Sequence, residues 1–388
     1  MRAASILNHS FKKSLNFLHK TQLKTMWFAV ESLLRGGRLS LTALGREAIN
    51  KTYAKHNIKR IDRFLGNIRF WVQLPELYRA ITTKVLKNTL RPIILVDWTQ
   101  VCEGMHAIVA AVPCQGRAQV IYSEVYPERL HGKPKIEKGF LKRLINIVPS
   151  YCKPVLITDA GFRSPWFDDV KKIGWDYVGR VRNNVHIKLK HGRWVPIKLI
   201  FKKAITKARD LGLGNLAKSK KAIHRFVLVK MKSRGRHSRT NCNKDKNYSA
   251  SAKEPWLLAT SLIISANKIG HLYSLRMQIE ETFRDQKNTR FGWSLRHVRS
   301  KSENRLEVLL FVAALANLVV VIVGMIAEEA KLHLKYQANT IKKRRVLSWF
   351  VLGKLIIKDG ALYLLNLDIK TFNEACEQIY AKWQVISL

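Results

Sequence analysis

Two aspartates are marked out by what precedes them: Asp97 closes the apolar run IILVD and Asp159 closes VLITD. Runs of this kind are expected as central strands, whose carboxyl ends are where open α/β sheets place their ligand sites. Side by side, the two side chains would offer hard oxygen ligands suited to magnesium. A single Asp in a D-W or D-x-G step is more often a turn or capping residue; its recurrence after two similar strands shifts the balance toward a metal site. A third carboxylate, Glu280, lies in HLYSLRMQIEETFRDQK. On one helix from Ile269 to Lys287, at ~100° per residue, Tyr273, Arg276, Glu280, Arg284 and Lys287 share a stripe ~60° wide. Leu272, Leu275, Ile279 and Phe283 fall on a separate core arc, and Glu281 lies off the stripe. A solvated face with Arg276, Glu280 and Arg284 paired at i,i+4 spacing accounts for the same pattern.

The elements that must carry these residues are legible as changes of texture. Residues 1–90 read as mostly helical. Within them SLTALGREAI and KHNIKRIDRFLGN form two short helices joined by a turn. The second carries Lys55, His56, Lys59, Arg60 and Arg63, which a helix-turn-helix would lay on DNA; a small bundle with a solvated basic face fits equally. From Arg91 onward PIILVDW, HAIVAAVPC and AQVIYSEVYP are strands, with a hairpin at Pro113 and Gly116. A helix over Lys135–Val148, the strand PVLITDAGF, a short helix at Trp166–Ile173 and the strand WDYVGRVR come next. Three meandering strands and then helix, strand, helix, strand is the order of a ribonuclease-H-like α/β domain, although other mixed sheets share it. The pieces RWVPIKLIF and HRFVLVKMK predict a β insertion over about 183–253 carrying a basic arm. The strand PWLLATSL, the Ile269–Lys287 helix and an apolar helix complete a catalytic domain over 91–328, and a helical region over 329–388 ends the chain.

Composition bounds the partner. The 388 residues hold 70 Lys and Arg against 27 Asp and Glu, a net charge of +43. A compact chain so far from neutrality repels itself, and nucleic acid is the polyanion that best explains the excess. The charge is concentrated, with 18 basic against 4 acidic residues in 1–91 and 16 against 2 in 201–253. The five cysteines are scattered without a C-x-x-C pair and read as reduced thiols. Cys242 and His237 lack a second ligand pair for zinc. MRAASILNHSFKK has no continuous apolar core of a signal peptide, so a cytoplasmic protein is expected. Val308–Ala327 is long enough to span a bilayer, yet Asn317 at its centre and Glu328-Glu329 at its end favour a buried soluble helix, with no membrane partner.

The spacing Y-x-x-R-x-x-x-E-x-x-x-x-x-x-K, filled by Tyr273, Arg276, Glu280 and Lys287, resembles the signature of bacterial DDE transposases of insertion sequence family 4. LVDW, TDAGF and KEPWLLAT resemble that family's other blocks. KHNIKRIDRFLGN, SASAKEPW and RMQIEETFRD are most similar to the insertion-sequence-10 (transposon-10) type. The likeness runs from about Leu39 to near Leu352. It implies Asp97, Asp159 and Glu280 as the catalytic and metal-binding triad holding two Mg²⁺, with Mn²⁺ as a substitute. It further implies cut-and-paste transposition through hairpinned ends, with terminal inverted repeats and target DNA as partners, a homodimer on DNA and a nucleoid-associated location. Tyr273, Arg276, Arg284 and Lys287 would hold phosphates, and Trp256 would stack on a flipped base unless it is a core aromatic of its strand. Met277 stands where some relatives carry a second Trp. Two other readings compete: a transposase-like regulator that binds without cutting, and a ribonuclease-H-fold nuclease.

Overall fold

The computed structural model describes residues 2–182, 185–217, 222–230, 254–338, 340–365 and 368–381. The basic stretch 231–253, with His237, Cys242 and nearly all of the expected arm, lies outside them. The fold is mixed α/β. Ten strands form one sheet in the order β3-β2-β1-β4-β5-β10-β9-β8-β6-β7. They are β1 Ile93–Cys102, β2 Met105–Cys114, β3 Arg117–Pro127, β4 Val155–Thr158, β5 Asp176–Val181, β6 His186–Leu189, β7 Val195–Pro196, β8 Arg209–Leu216, β9 Ile223–Val229 and β10 Trp256–Thr260. The helices are α1 Arg2–Phe11, α2 Lys20–Gly36, α3 Leu41–Arg46, α4 Ala54–Leu65, α5 Ile68–Val72, α6 Leu74–Val85, α7 Pro134–Ile147 and α8 Ser164–Lys172. They continue as α9 Ile197–Phe201, α10 Ala266–Ser274, α11 Met277–Lys287, α12 Glu303–Glu329, α13 His333–Tyr336, α14 Trp349–Lys358 and α15 Ile369–Ala381.

The chain divides into two compact units. A helical unit comprises Met1–Pro92, Asp97–Cys152 and Met277–Ser387; a strand-rich unit comprises Ile93–Val96 and Lys153–Arg276. This grouping cuts across the three consecutive segments expected from the sequence, because the amino-terminal helices pack with the carboxyl-terminal ones.

In the strand-rich unit the start of β1 pairs in parallel with β4, from Ile93 with Val155 to Val96 with Thr158. The β4 strand pairs in parallel with β5, while β10 runs antiparallel to both β5 and β9. The central β4 is a short apolar run buried at every position, as a strand covered on both faces requires. The expected strand RWVPIKLIF is instead the two-residue β7 followed by α9. Pro196 explains the change: it has no N–H to give a ladder, and its φ of −64° suits the residue that caps a helix.

In the helical unit β2 and β3 form the expected hairpin, with left-handed backbone at Gln115 and Gly116. The apolar segment is α12, whose membrane-length apolar window is buried inside the fold. Its central Asn317 donates to Gln119 Oε1 at 2.9 Å, and Gln119 Nε2 donates to the Ala314 carbonyl at 3.1 Å. A polar side chain amid an apolar helix thereby finds a protein partner. The α14 helix lies close against α12, and a Cβ on Gly353 would stand 1.9 Å from the Val320 carbonyl oxygen.

The helix expected over Ile269–Lys287 is two helices. After Ser274 the N–H groups of Leu275 and Arg276 bond three residues back, to Leu272 and Tyr273, at 3.1 and 3.0 Å. Such tightening closes one helix. Tyr273 therefore lies in α10 and Glu280, Arg284 and Lys287 in α11, with Arg276 in the turn between the two helices. Tyr273 and Arg276 belong to the strand-rich unit, and Glu280, Arg284 and Lys287 to the helical one. Leu272, Leu275, Ile279 and Phe283 are buried, as expected.

Candidate active site

The helical unit carries Asp97 and Glu280. Asp97, in β1, is 8% exposed, and its Oδ1 accepts the N–H of Trp98 at 2.8 Å. The Trp98 indole packs edge-on against His131 and donates to Oε1 of the buried Glu137 at 3.3 Å. Two residues beyond Asp97, the buried Thr99 accepts from Lys287 Nζ at 2.7 Å. Burial and Arg296 push the Lys287 ammonium below its ordinary range, while Asp97 opposes them. Lys287 is thus held two residues along β1 from Asp97 and feels its charge.

Glu280 is half-buried in the first turn of α11. That helix is fastened along another face, at positions 278, 282 and 285, where i, i+4 and i+7 spacing aligns side chains. Gln278 Oε1 accepts the N–H groups of Cys114 and Gly116 at 2.9 and 3.1 Å. Thr282 Oγ1 accepts from Ala118 N at 2.7 Å, and Asp285 forms an ion pair with Arg117. The β2–β3 hairpin therefore fixes the rotation of α11. Glu281 is tied to Arg284 at 2.9 Å and faces Arg117 at 3.9 Å. The exposed Arg284 thus pairs at i,i+3 spacing with Glu281.

The strand-rich unit carries Asp159, one residue past β4. Half-buried, it accepts the Gly161 N–H at 2.8 Å, so it does turn the chain as a D-x-G step would. Tyr273 is buried; desolvation pushes its phenol up, opposed by Arg276 and Arg180 and reinforced by Asp159. The Arg276 guanidinium lies 5.9 Å from the Tyr273 ring centre. Trp256, half-buried at the start of β10, meets Tyr273 edge-on at 4.8 Å. Asp159, Tyr273, Arg276 and Trp256 thus share one neighbourhood of this unit.

The sequence did not single out the groups that frame this cluster. Arg180 Nη2 and Arg182 Nε both bind Glu254 Oε2 at 2.7 Å. Alternation in GRVR and the acid two residues before Trp256 were the available signals. Thr99, Gln278 and Thr282 were equally unmarked, being ordinary residues until their partners are known.

On the helix-turn-helix pair, Gly45 of α3 lies against α4, where a Cβ would approach Ile58 Cγ1 to 2.5 Å. Asn50 and Asn57 exchange amide hydrogen bonds of 3.1 and 3.0 Å across the connecting loop. Lys55, Lys59 and Arg63 are exposed. Arg60 is not on that free face: its Nε donates to Thr25 at 3.1 Å and its guanidinium lies 4.4 Å over Phe28. It fastens α4 to α2.

The carboxylates of Asp97, Asp159 and Glu280 are donors of the kind a hard divalent cation takes. Among the described residues no group of three or more His, Cys, Asp or Glu side chains stands ready to hold a metal ion. The three carboxylates fit such a metal by donor chemistry alone. Among curated proteins, none matches the chain. A family model, the Transposase DDE domain, matches residues 88–318, more than half of the chain. The protein belongs to that family, and is thus a transposase: a metal-dependent enzyme that cleaves DNA and transfers its strands.

Proposed function

We propose that the chain is a cut-and-paste transposase of insertion sequence family 4, of the insertion-sequence-10 type, with a ribonuclease-H-like catalytic domain. Asp97, Asp159 and Glu280 are its catalytic carboxylates. One observation carries the two aspartates: the parallel register of β1 with β4 ends on Val96 and Thr158, the residues directly before them; Glu280 rests on its place in the Y-x-x-R-x-x-x-E spacing. The β3-β2-β1-β4-β5 strand order supports the ribonuclease-H-like reading.

Two Mg²⁺ ions, replaceable by Mn²⁺, would supply Lewis-acid stabilisation of the attacking and leaving oxygens when bound. The three carboxylates orient that chemistry. In the first step water attacks the phosphorus at a transposon end, leaving a 3′-hydroxyl and a 5′-phosphate. That hydroxyl then attacks the opposite strand, closing a hairpin and releasing the flanking 3′-oxygen. A second water reopens the hairpin, and the freed 3′-hydroxyl attacks target DNA. Lys287, Arg284, Arg276 and Tyr273 hold phosphates through these steps, as donors do at a DNA backbone. Trp256 stacks on a base turned out to relieve the hairpin. Lys55, Lys59 and Arg63 of α4 contact the terminal inverted repeat. The enzyme works as a homodimer on DNA, in the bacterial cytoplasm.

The deciding experiment incubates the protein with Mg²⁺ and linear duplexes ending in the DNA that flanks its own gene. Double-strand breaks with hairpinned ends are expected. Nicks alone would favour a ribonuclease-H-fold nuclease, and binding without cleavage a regulator.

A further inference from the structure

We propose that a cleft within the helical unit, whose residues are separate from those assigned above, takes duplex DNA by its phosphate backbone without reading its sequence. The cleft has a volume of about 950 Å³ and lies between the α2–α3 segment and residues 289–309. Arg38, Arg46, His297, Arg299 and Arg305 line it, against Glu47 as the sole acid among its described lining residues. Arg305 is engaged, its Nη2 lying 2.6 Å from Asp62 Oδ1. Arg38, Arg46 and Arg299 are exposed and make no ion pair with any described residue.

Guanidinium groups gathered on facing walls repel one another, and an anion between them removes that cost. Their planar donor forks match phosphate oxygens in particular. Hydroxyls of Ser40, Thr42 and Ser300 add neutral donors of the kind that contact a DNA backbone. The wall built by α3 is the first helix of the α3–α4 pair, the position that crosses the backbone in a helix-turn-helix. The partner is thus DNA of arbitrary sequence, such as flanking or target duplex. The inference rests only on DNA as the enzyme's partner and not on the choice of catalytic carboxylates.

The test measures binding across a salt series for two duplexes, one carrying the terminal repeat and one scrambled. Three proteins are compared: the full wild-type chain, Arg38→Gln/Arg46→Gln/Arg299→Gln, and the charge-matched control Lys135→Gln/Lys138→Gln/Lys142→Gln on the exposed face of α7. Losing three phosphate contacts should lower the slope of log K against log salt by about 2 to 3, on both duplexes alike and in the cleft variant only. An unchanged slope overturns the proposal. Equal loss in the α7 control overturns it too, because net charge alone would then explain binding. A loss confined to the terminal-repeat duplex makes the cleft a sequence reader and overturns the sequence-neutral claim. All substituted side chains are exposed, so the thermal melts should coincide. Wild-type cleavage of the same ends reports separately on the proposed reaction.

Discussion

The helical and strand-rich units hold their charged groups by different means. In the helical unit, acids and bases meet inside dense hydrogen-bond networks. Glu307 accepts from Val125 N at 2.8 Å and from Trp71 Nε1 at 2.6 Å, Glu124 is bound by Arg143, and Lys287 is fixed by Thr99. In the strand-rich unit the charge near Asp159 is mostly cationic, with Arg180, Arg182 and Arg276 gathered around Tyr273 and Glu254. A carboxylate in the first setting is oriented by neighbours already in place, whereas the second setting is built to receive negative charge. That contrast suits an enzyme whose substrate is a polyanion and whose chemistry needs rigid acids.

The largest expected effect comes from the carboxylates of both units. Asp97→Ala, Asp159→Ala and Glu280→Ala should each lower end cleavage by about 10³-fold or more, the scale of several kcal/mol of transition-state stabilisation. End binding should persist, since the phosphate contacts remain. Cleavage assays beside gel-shift measurements check this. An active Asp159→Ala with a dead Asp97→Ala would confine the chemistry to the helical unit.

Acid and base should act oppositely on the two units. Burial, with Glu124 and Glu303 nearby, pushes Glu307 up to about 7. The folded chain then holds a proton that the unfolded chain gives up, so this contribution to stability falls as pH rises from about 4.5 to 7. Burial, reinforced by Lys171, pushes His224 of the strand-rich unit down to about 4. Here the unfolded chain takes a proton that the folded chain refuses, and stability is lost as pH falls from 6.5 toward 4. Each effect is at most about 3 kcal/mol. Melting curves across pH 4–7 for Glu307→Gln and His224→Gln, each against wild type, should diverge with opposite slopes. Parallel curves would mean that the two buried groups do not titrate as their surroundings imply.

Trp256 sharpens the comparison within the strand-rich unit. Half-buried and edge-on to Tyr273, it can leave its contact for a base without emptying a core site. Trp256→Ala should therefore spare first-strand nicking and weaken hairpin formation or opening by roughly 1–3 kcal/mol. A product time course alongside a thermal melt decides, and uniform loss with a large melting shift would make it a packing residue. Smallest of all, Glu281→Ala breaks an exposed pair with Arg284 worth about 0–1 kcal/mol and should keep cleavage near wild type.

What the sequence determined by itself is local and periodic. Apolar runs ending in Asp97 and Asp159, the hairpin at Gly116, the buried helix around Asn317 and the core arc of Leu272, Leu275, Ile279 and Phe283 all arise from short-range chemistry. These features survive folding because burial of each run depends mainly on its own pattern. Tertiary structure decided the rest. The break after Ser274 is a tightening of two hydrogen bonds that no residue type announces, and it turns one expected helix into two. The rotation of α11 is set by Gln278, Thr282 and Asp285 meeting a hairpin some 160 residues earlier in the chain. Arg60 looks like a DNA contact in sequence and becomes a fastener because Thr25 and Phe28 stand beneath it. A side chain's partner across such distances depends on packing, and spacing along one segment carries no record of it.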